Sequence, residues 1–142
     1  MKYGTLGCPN VNPLQRIVQG LILFSTVLGA VFLWQAYQVL PPVAFDSVAL
    51  GWVLFFVDSV LTFVRPFASY VLGLVLAVVA LALTLSQPAH FALVASGNLL
   101  AAATIVLGSA AELLLIVFAA YYLVRARDAK DDWAWPGSTS QA

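Results

Sequence analysis

The sequence predicts an all-α integral membrane protein: four transmembrane helices in a compact bundle, with short loops and no extramembrane domain. Three observations carry that prediction. Of the 142 residues, 63% are hydrophobic and only 8% are charged, whereas a soluble domain carries about 25% charged residues. The mean hydropathy is +0.99. Prolines and charges also cut the chain into apolar segments near the length that crosses a bilayer. So little charge cannot wet the surface of a globule, which excludes a soluble enzyme, a nucleic-acid binder and a disordered linker. The six basic and six acidic side chains cancel, leaving no net field to attract nucleic acid.

Residues 1–16 read as an N-terminal segment, 17–124 as the membrane domain and 125–142 as a polar tail. The first helix is expected over 17–40, about 36 Å long, and ends at Pro41-Pro42. Its apolar run is too long for the core of a signal peptide, and no small-residue cleavage site follows it. The second, over 48–64, is short at about 25 Å and closes at Arg65-Pro66. The third covers 67–86 and stops before Gln87-Pro88. The last apolar run, from Phe91 to Val124, would be about 51 Å long, too much for one upright crossing. The fourth helix is therefore placed over 98–124, after Ser96-Gly97, and Arg125, Arg127 and Lys130 end it.

Only Arg65-Pro66 separates the second and third segments. A tight hairpin is one reading, with Pro66 at a first helical position where its missing N–H costs nothing. A single Pro-kinked helix from about Asp58 to Ser86 is the other. The positive-inside rule favours the hairpin. With four crossings Lys2, Arg16, Arg65, Arg125, Arg127 and Lys130 all fall on one side, the cytoplasmic-equivalent one, together with both termini. The opposite loops hold only Asp46 and His90. Trp34, Tyr37 and Trp52 then read as an outer aromatic belt, and Tyr70, Tyr121 and Tyr122 as an inner one.

Two carboxylates interrupt the apolar runs. Glu112 lies 13 residues before Arg125, about 20 Å along the helix and near mid-membrane. Asp58 lies seven residues before Arg65, roughly 10 Å from the inner boundary. A charge at the bilayer centre costs at least about 2.5–3.5 kcal/mol, so such residues face protein or water. Gly97, Ala101, Thr104, Gly108 and Ala111 recur every three or four residues, forming a small-residue face with Glu112 on its flank. Small residues let a second backbone approach. Glu112 is expected at this seam, protonated or hydrogen-bonded.

As a functional residue, Glu112 would bind a proton or cation during transport. As a structural one, it would hold a neighbouring helix or subunit by a hydrogen bond. No partner base or second acid accompanies it in sequence, so the structural reading is preferred. The same holds for Asp58, which Arg16 or Arg65 could reach by snorkelling. Ser69, Gly73, Ala77, Ala80 and Thr84 make a second packing stripe on the third helix. Ser25 and Gly29, with Gln19 and Gln35, make a shorter one on the first.

His90 is the only histidine and Cys8 the only cysteine. Haem held between two histidines needs a second one, and a zinc site needs three or so ligands. No metal site and no cofactor are expected from this chain alone, although His90 could ligate a metal or pigment jointly with another subunit. No nucleophile, base and oxyanion stabiliser can be assigned. The sequence therefore points to a non-catalytic small membrane subunit that packs in and stabilises a larger complex of respiratory, photosynthetic or transport type. Its expected partners are lipids and other membrane subunits. The alternative is a homo-oligomeric channel or proton/cation carrier that uses Glu112.

The arrangement of crossings is testable. Cysteines placed at Asp46 and at Lys130, each in a Cys8→Ser background, should react with an impermeant reagent from opposite sides. Reaction of both from one side would rule out four crossings.

Overall fold

The computed structural model describes residues 13–37, 42–86, 91, 95 and 97–128. It contains four long helices: α1 (Pro13–Tyr37), α2 (Pro42–Val64), α3 (Pro66–Ser86) and α4 (Leu99–Asp128). No strand occurs among the described residues. Each of the four is long and apolar enough to cross a membrane. Only 17–22% of the residues in each apolar stretch are buried inside the bundle. Many of the other apolar side chains are exposed, among them Val27, Phe63, Val75 and Val117, where a soluble protein would place charge.

Local chemistry sets the helix starts. Three helices open on proline, at Pro13, Pro42 and Pro66. At the first helical position proline loses no hydrogen bond and its fixed φ is already helical. The fourth opens on a side-chain cap: Asn98 Oδ1 accepts from the Ala101 amide at 3.2 Å. The Asn98 carbonyl accepts from Ala102 at 2.9 Å. Gly97, at φ +78°, turns the chain into that cap in a conformation that disfavours other residues.

These starts change two sequence boundaries. Helix α2 begins at Pro42, six residues ahead of the expected 48, because Pro42 is a helix opener and not only a breaker. Helix α1 begins at Pro13, four residues ahead of the expected 17. The hairpin is the observed connection between α2 and α3. Arg65 alone joins them, its amide bonded back to the Leu61 carbonyl at 2.7 Å. A Cβ built on Gly73 would lie 2.7 Å from Asp58 Oδ2. In one continuous helix those residues would stand about 22 Å apart.

The helices pack around a four-cornered ring, α1 on α2, α2 on α3, α3 on α4 and α4 on α1. Neighbours are antiparallel. Gln19 pairs with Thr62 while Thr26 pairs with Phe55, so α2 runs down as α1 runs up. Tyr70 meets Tyr122 edge-on, with ring centres 4.9 Å apart, at one end of the α3–α4 pair. Thr84 and Leu85 lie beside Ile105 and Ser109 at the other. The start of α1, the end of α4 and the Arg65 joint therefore share one end of the bundle.

That end holds the core. Val18, Ile22, Tyr70, Ala77, Leu115 and Ala119 form one buried cluster, with Phe55, Leu74 and Tyr122 against it. Toward the opposite end α3 and α4 separate, leaving an apolar groove of about 360 Å³ lined by Thr84, Leu85, Phe91, Ile105, Val106 and Ser109. The bundle is tight at one end and open at the other.

Two aromatic placements differ from expectation. Trp52 stands mid-helix, not at an interface, because α2 starts earlier than its apolar run. Its ring lies 2.9 Å from the position of a Gly29 Cβ, and Nε1 donates to the Thr26 carbonyl at 3.0 Å. Tyr70 is not a belt residue: it is fully buried, and its hydroxyl donates to the Gln15 carbonyl at 3.4 Å. Trp34, Tyr37 and Tyr121 are exposed.

The glycines rank these contacts. At Gly73 a Cβ meets the Asp58 carboxyl and, at 3.3 Å, Ile22 Cδ1, whereas at Gly108 it meets nothing within 4 Å. Overpacking a tight contact costs about 1–3 kcal/mol. Gly73→Leu should therefore lower the thermal midpoint of the purified protein in detergent, and Gly108→Leu should leave it nearly unchanged. Equal losses in the two variants would contradict the α2–α3 contact.

Candidate functional site

Asp58 is the least exposed carboxylate among the described residues. It sits on the inward face of α2, one turn before Thr62, and is 0% exposed. Neither carboxyl oxygen has a hydrogen-bond partner, and the Thr62 hydroxyl lacks one as well. Hydroxyl and amide groups gather around this stretch. Ser69 Oγ donates to the Asp58 backbone carbonyl at 3.1 Å. Gln19 Nε2 donates to the Thr62 carbonyl at 3.3 Å. Tyr70 donates its hydroxyl to the Gln15 carbonyl at 3.4 Å.

The sequence places this acid in reach of Arg16 or Arg65, and the structure does not. Both arginine side chains are exposed at the bundle end, and the Asp58 carboxyl oxygens accept nothing. Glycine at 73 is what lets the carboxyl in, since a Cβ there would occupy its space. Ser69, Gly73 and Ala77 are all buried and form the wall that α3 presents to α2. The sequence shows half of these polar surroundings: Asp58, Ser59 and Thr62 lie within two turns, opposite the stripe begun by Ser69. From sequence alone, Gln19 is only a polar addition to α1 and Tyr70 a belt residue.

Glu112 is only half-buried on α4. Its Oε2 is shielded from solvent and has no hydrogen-bond partner within the bundle. Ala101, Thr104 and Ala111 of its small-residue face are buried. Thr104 Oγ1 accepts from Gln35 Nε2 at 3.0 Å, which ties α4 to α1. The other two members differ: Gly97 is exposed ahead of the helix, and a Cβ on Gly108 would meet open space. No close helix contact occurs at Gly108 among the described residues.

Ser25 Oγ is a further buried oxygen without a partner. The pairing of Gln35 with Thr104 puts Ser25 and Glu112 at nearly the same height, since antiparallel helices keep step at 1.5 Å per residue. Asp58 lies closer to the arginine-bearing end by roughly one to two helical turns. The two acids thus occupy different heights and different surroundings, and no hydrogen bond joins them.

No group of three His, Cys, Asp or Glu that could hold a metal occurs among the described residues. His90, Cys8, Lys2 and Lys130 lie outside those residues. No family model, no curated protein and no solved structure matches this chain.

Proposed function

We propose that the chain is a non-catalytic integral membrane subunit that packs against other membrane helices and stabilises a larger complex. One observation carries the reading. The outer half of α4 holds an acid whose Oε2 is shielded but unpartnered, one turn from a glycine with open space beside it. A buried acceptor without a partner costs about 1–3 kcal/mol, and a glycine face admits a second backbone. Glu112 is only half-buried, so a helix from another chain packed at this flank would donate to its carboxyl and lie against the glycine. The bundle axis weighs against a pore through a single copy, because Ile22, Tyr70 and Leu115 fill it.

Arg16, Arg65, Arg125 and Arg127 share one end of the bundle, which we take as the cytoplasmic-equivalent side. Partners would then be recognised within the membrane, by helix packing and by one hydrogen bond, and lipid would cover the remaining apolar flanks.

Glu112 variants test this reading against a carrier role. Glutamine keeps the shape of a neutral glutamic acid and both polar ends of its side chain. Glu112→Gln should leave the amount of co-purifying membrane subunits unchanged after mild detergent extraction. Glu112→Leu should weaken assembly by about 1–3 kcal/mol through the donor it leaves unpaired. A Glu112→Gln protein that assembles normally but loses a proton or cation flux seen in reconstituted wild type would establish the carrier instead.

A further inference from the structure

The end of the α1–α2 pair far from the arginines carries a feature that the packing role leaves unused. A pocket of about 160 Å³ lies there, lined by Tyr37, Pro42, Phe45 and Asp46. The rings of Tyr37 and Phe45 meet edge to face, with centres 5.6 Å apart and planes at 71°. Rings set that way form two walls of a corner, and Asp46 adds an acid beside them. Asp46 is exposed. It is the fifth residue of α2, past the first turn, so the helix dipole does not account for it. Arg16 and Tyr37 stand 21 residues apart on α1, about 31 Å of helix, so the arginine-bearing end cannot supply a partner.

The lining selects the ligand. Aromatic faces are negative and attract a cation, as a carboxylate does. One carboxylate provides too few oxygens to hold a metal ion. A quaternary ammonium needs no hydrogen-bond partner, and aromatic walls are how proteins recognise one. The position selects its source. Helix α1 reaches Tyr37 after 25 residues, about 37 Å, whereas the hydrocarbon layer is about 30 Å thick. The pocket therefore stands at headgroup level, and its small volume suits a compact headgroup rather than an acyl chain. We propose that Tyr37, Phe45 and Asp46 bind the quaternary ammonium of a choline phospholipid, in the leaflet opposite the arginine-bearing end.

Native mass spectrometry of the full chain in a maltoside detergent tests this, with phosphatidylcholine and phosphatidylglycerol added in equal amounts. The wild type should retain phosphatidylcholine severalfold over phosphatidylglycerol. Asp46→Asn and Tyr37→Leu should each abolish that preference. Both side chains are exposed, so neither change disturbs the core, and helical circular dichroism should stay unchanged. Trp34→Leu removes an exposed aromatic outside the pocket and should keep the preference, which separates the site from a general aromatic belt. Tetramethylammonium chloride should displace the lipid only at concentrations at least about tenfold higher, because acyl chains hold the headgroup near the pocket. Equal potency would assign the pocket to a dissolved onium ion and overturn the lipid headgroup. Equal retention of the two lipids by the wild type, or a preference that outlasts both pocket variants, would overturn the site. Loss of a co-purifying subunit from Asp46→Asn, with no lipid preference in the wild type, would place a partner's basic side chain there instead. Glu112→Gln and Glu112→Leu should not alter the lipid preference, so this site and the packing role fail separately.

Discussion

Lipid offers a polypeptide no hydrogen bonds, and that constraint shapes every boundary in this protein. A backbone N–H left open in the hydrocarbon costs several kcal/mol, so helices must satisfy their own groups and start where little is exposed. Prolines at Pro13, Pro42 and Pro66 meet the demand by removing a donor that would have no acceptor. At the fourth start there is no proline, and Asn98 supplies an acceptor from its side chain. The joint at Arg65 follows the same economy. One residue reverses the chain, with its amide bonded to Leu61 and its carbonyl to Ser69, so almost no irregular backbone enters the bundle. Short connections then force antiparallel neighbours, and antiparallel neighbours bring Asp58 to Gly73.

How far the sequence reveals this depends on which signal is read. Hydropathy and breakers locate all four helices, because apolar length is what a bilayer selects. They misplace the start of α2 by six residues, since Pro42 stands at the end of one apolar run and is also the first residue of the next helix. The rule applied to Pro66 applies to Pro42 as well. The misplaced start carries Trp52 with it, turning a residue that packs on Gly29 into an apparent interface anchor. Small-residue stripes are less informative. They place Ser69, Gly73 and Ala77 on one buried face, yet the same periodicity draws in Gly97 and Gly108, which face open space. Periodicity gives a face of a helix. Which neighbour lies against that face depends on how the helices splay, and that is set by contacts distant in sequence.

The two acids show the same limit from the chemical side. Depth alone singles out Glu112, which lies nearer the middle of the membrane. Enclosure singles out Asp58, because the closed half of the bundle surrounds it on every side while the open half leaves Glu112 at a flank. Depth is a property of position along one helix. Enclosure needs Ile22 from α1 and Gly73 from α3 at the same point, residues 36 and 15 positions away in the chain. A sequence pattern on α2 contains neither.

This division of the bundle also assigns different tasks to its halves. At the arginine-bearing end the core is filled by Val18, Ile22, Tyr70 and Leu115, so a polar group there is shielded from lipid and from partners alike. Such a place can hold a carboxyl in one fixed environment whatever the protein is bound to. At the other end an apolar groove lies between α3 and α4, lined by Leu85, Phe91, Ile105, Val106 and Leu113. On the packing role proposed above, a neighbour seated in that groove would touch α3 and α4, whereas the Asp58 carboxyl is enclosed by Ile22 of α1 and Gly73 of α3 in the tight half. Occupancy of the groove would then reach the buried acid only through the shared helices, and the two would be separable.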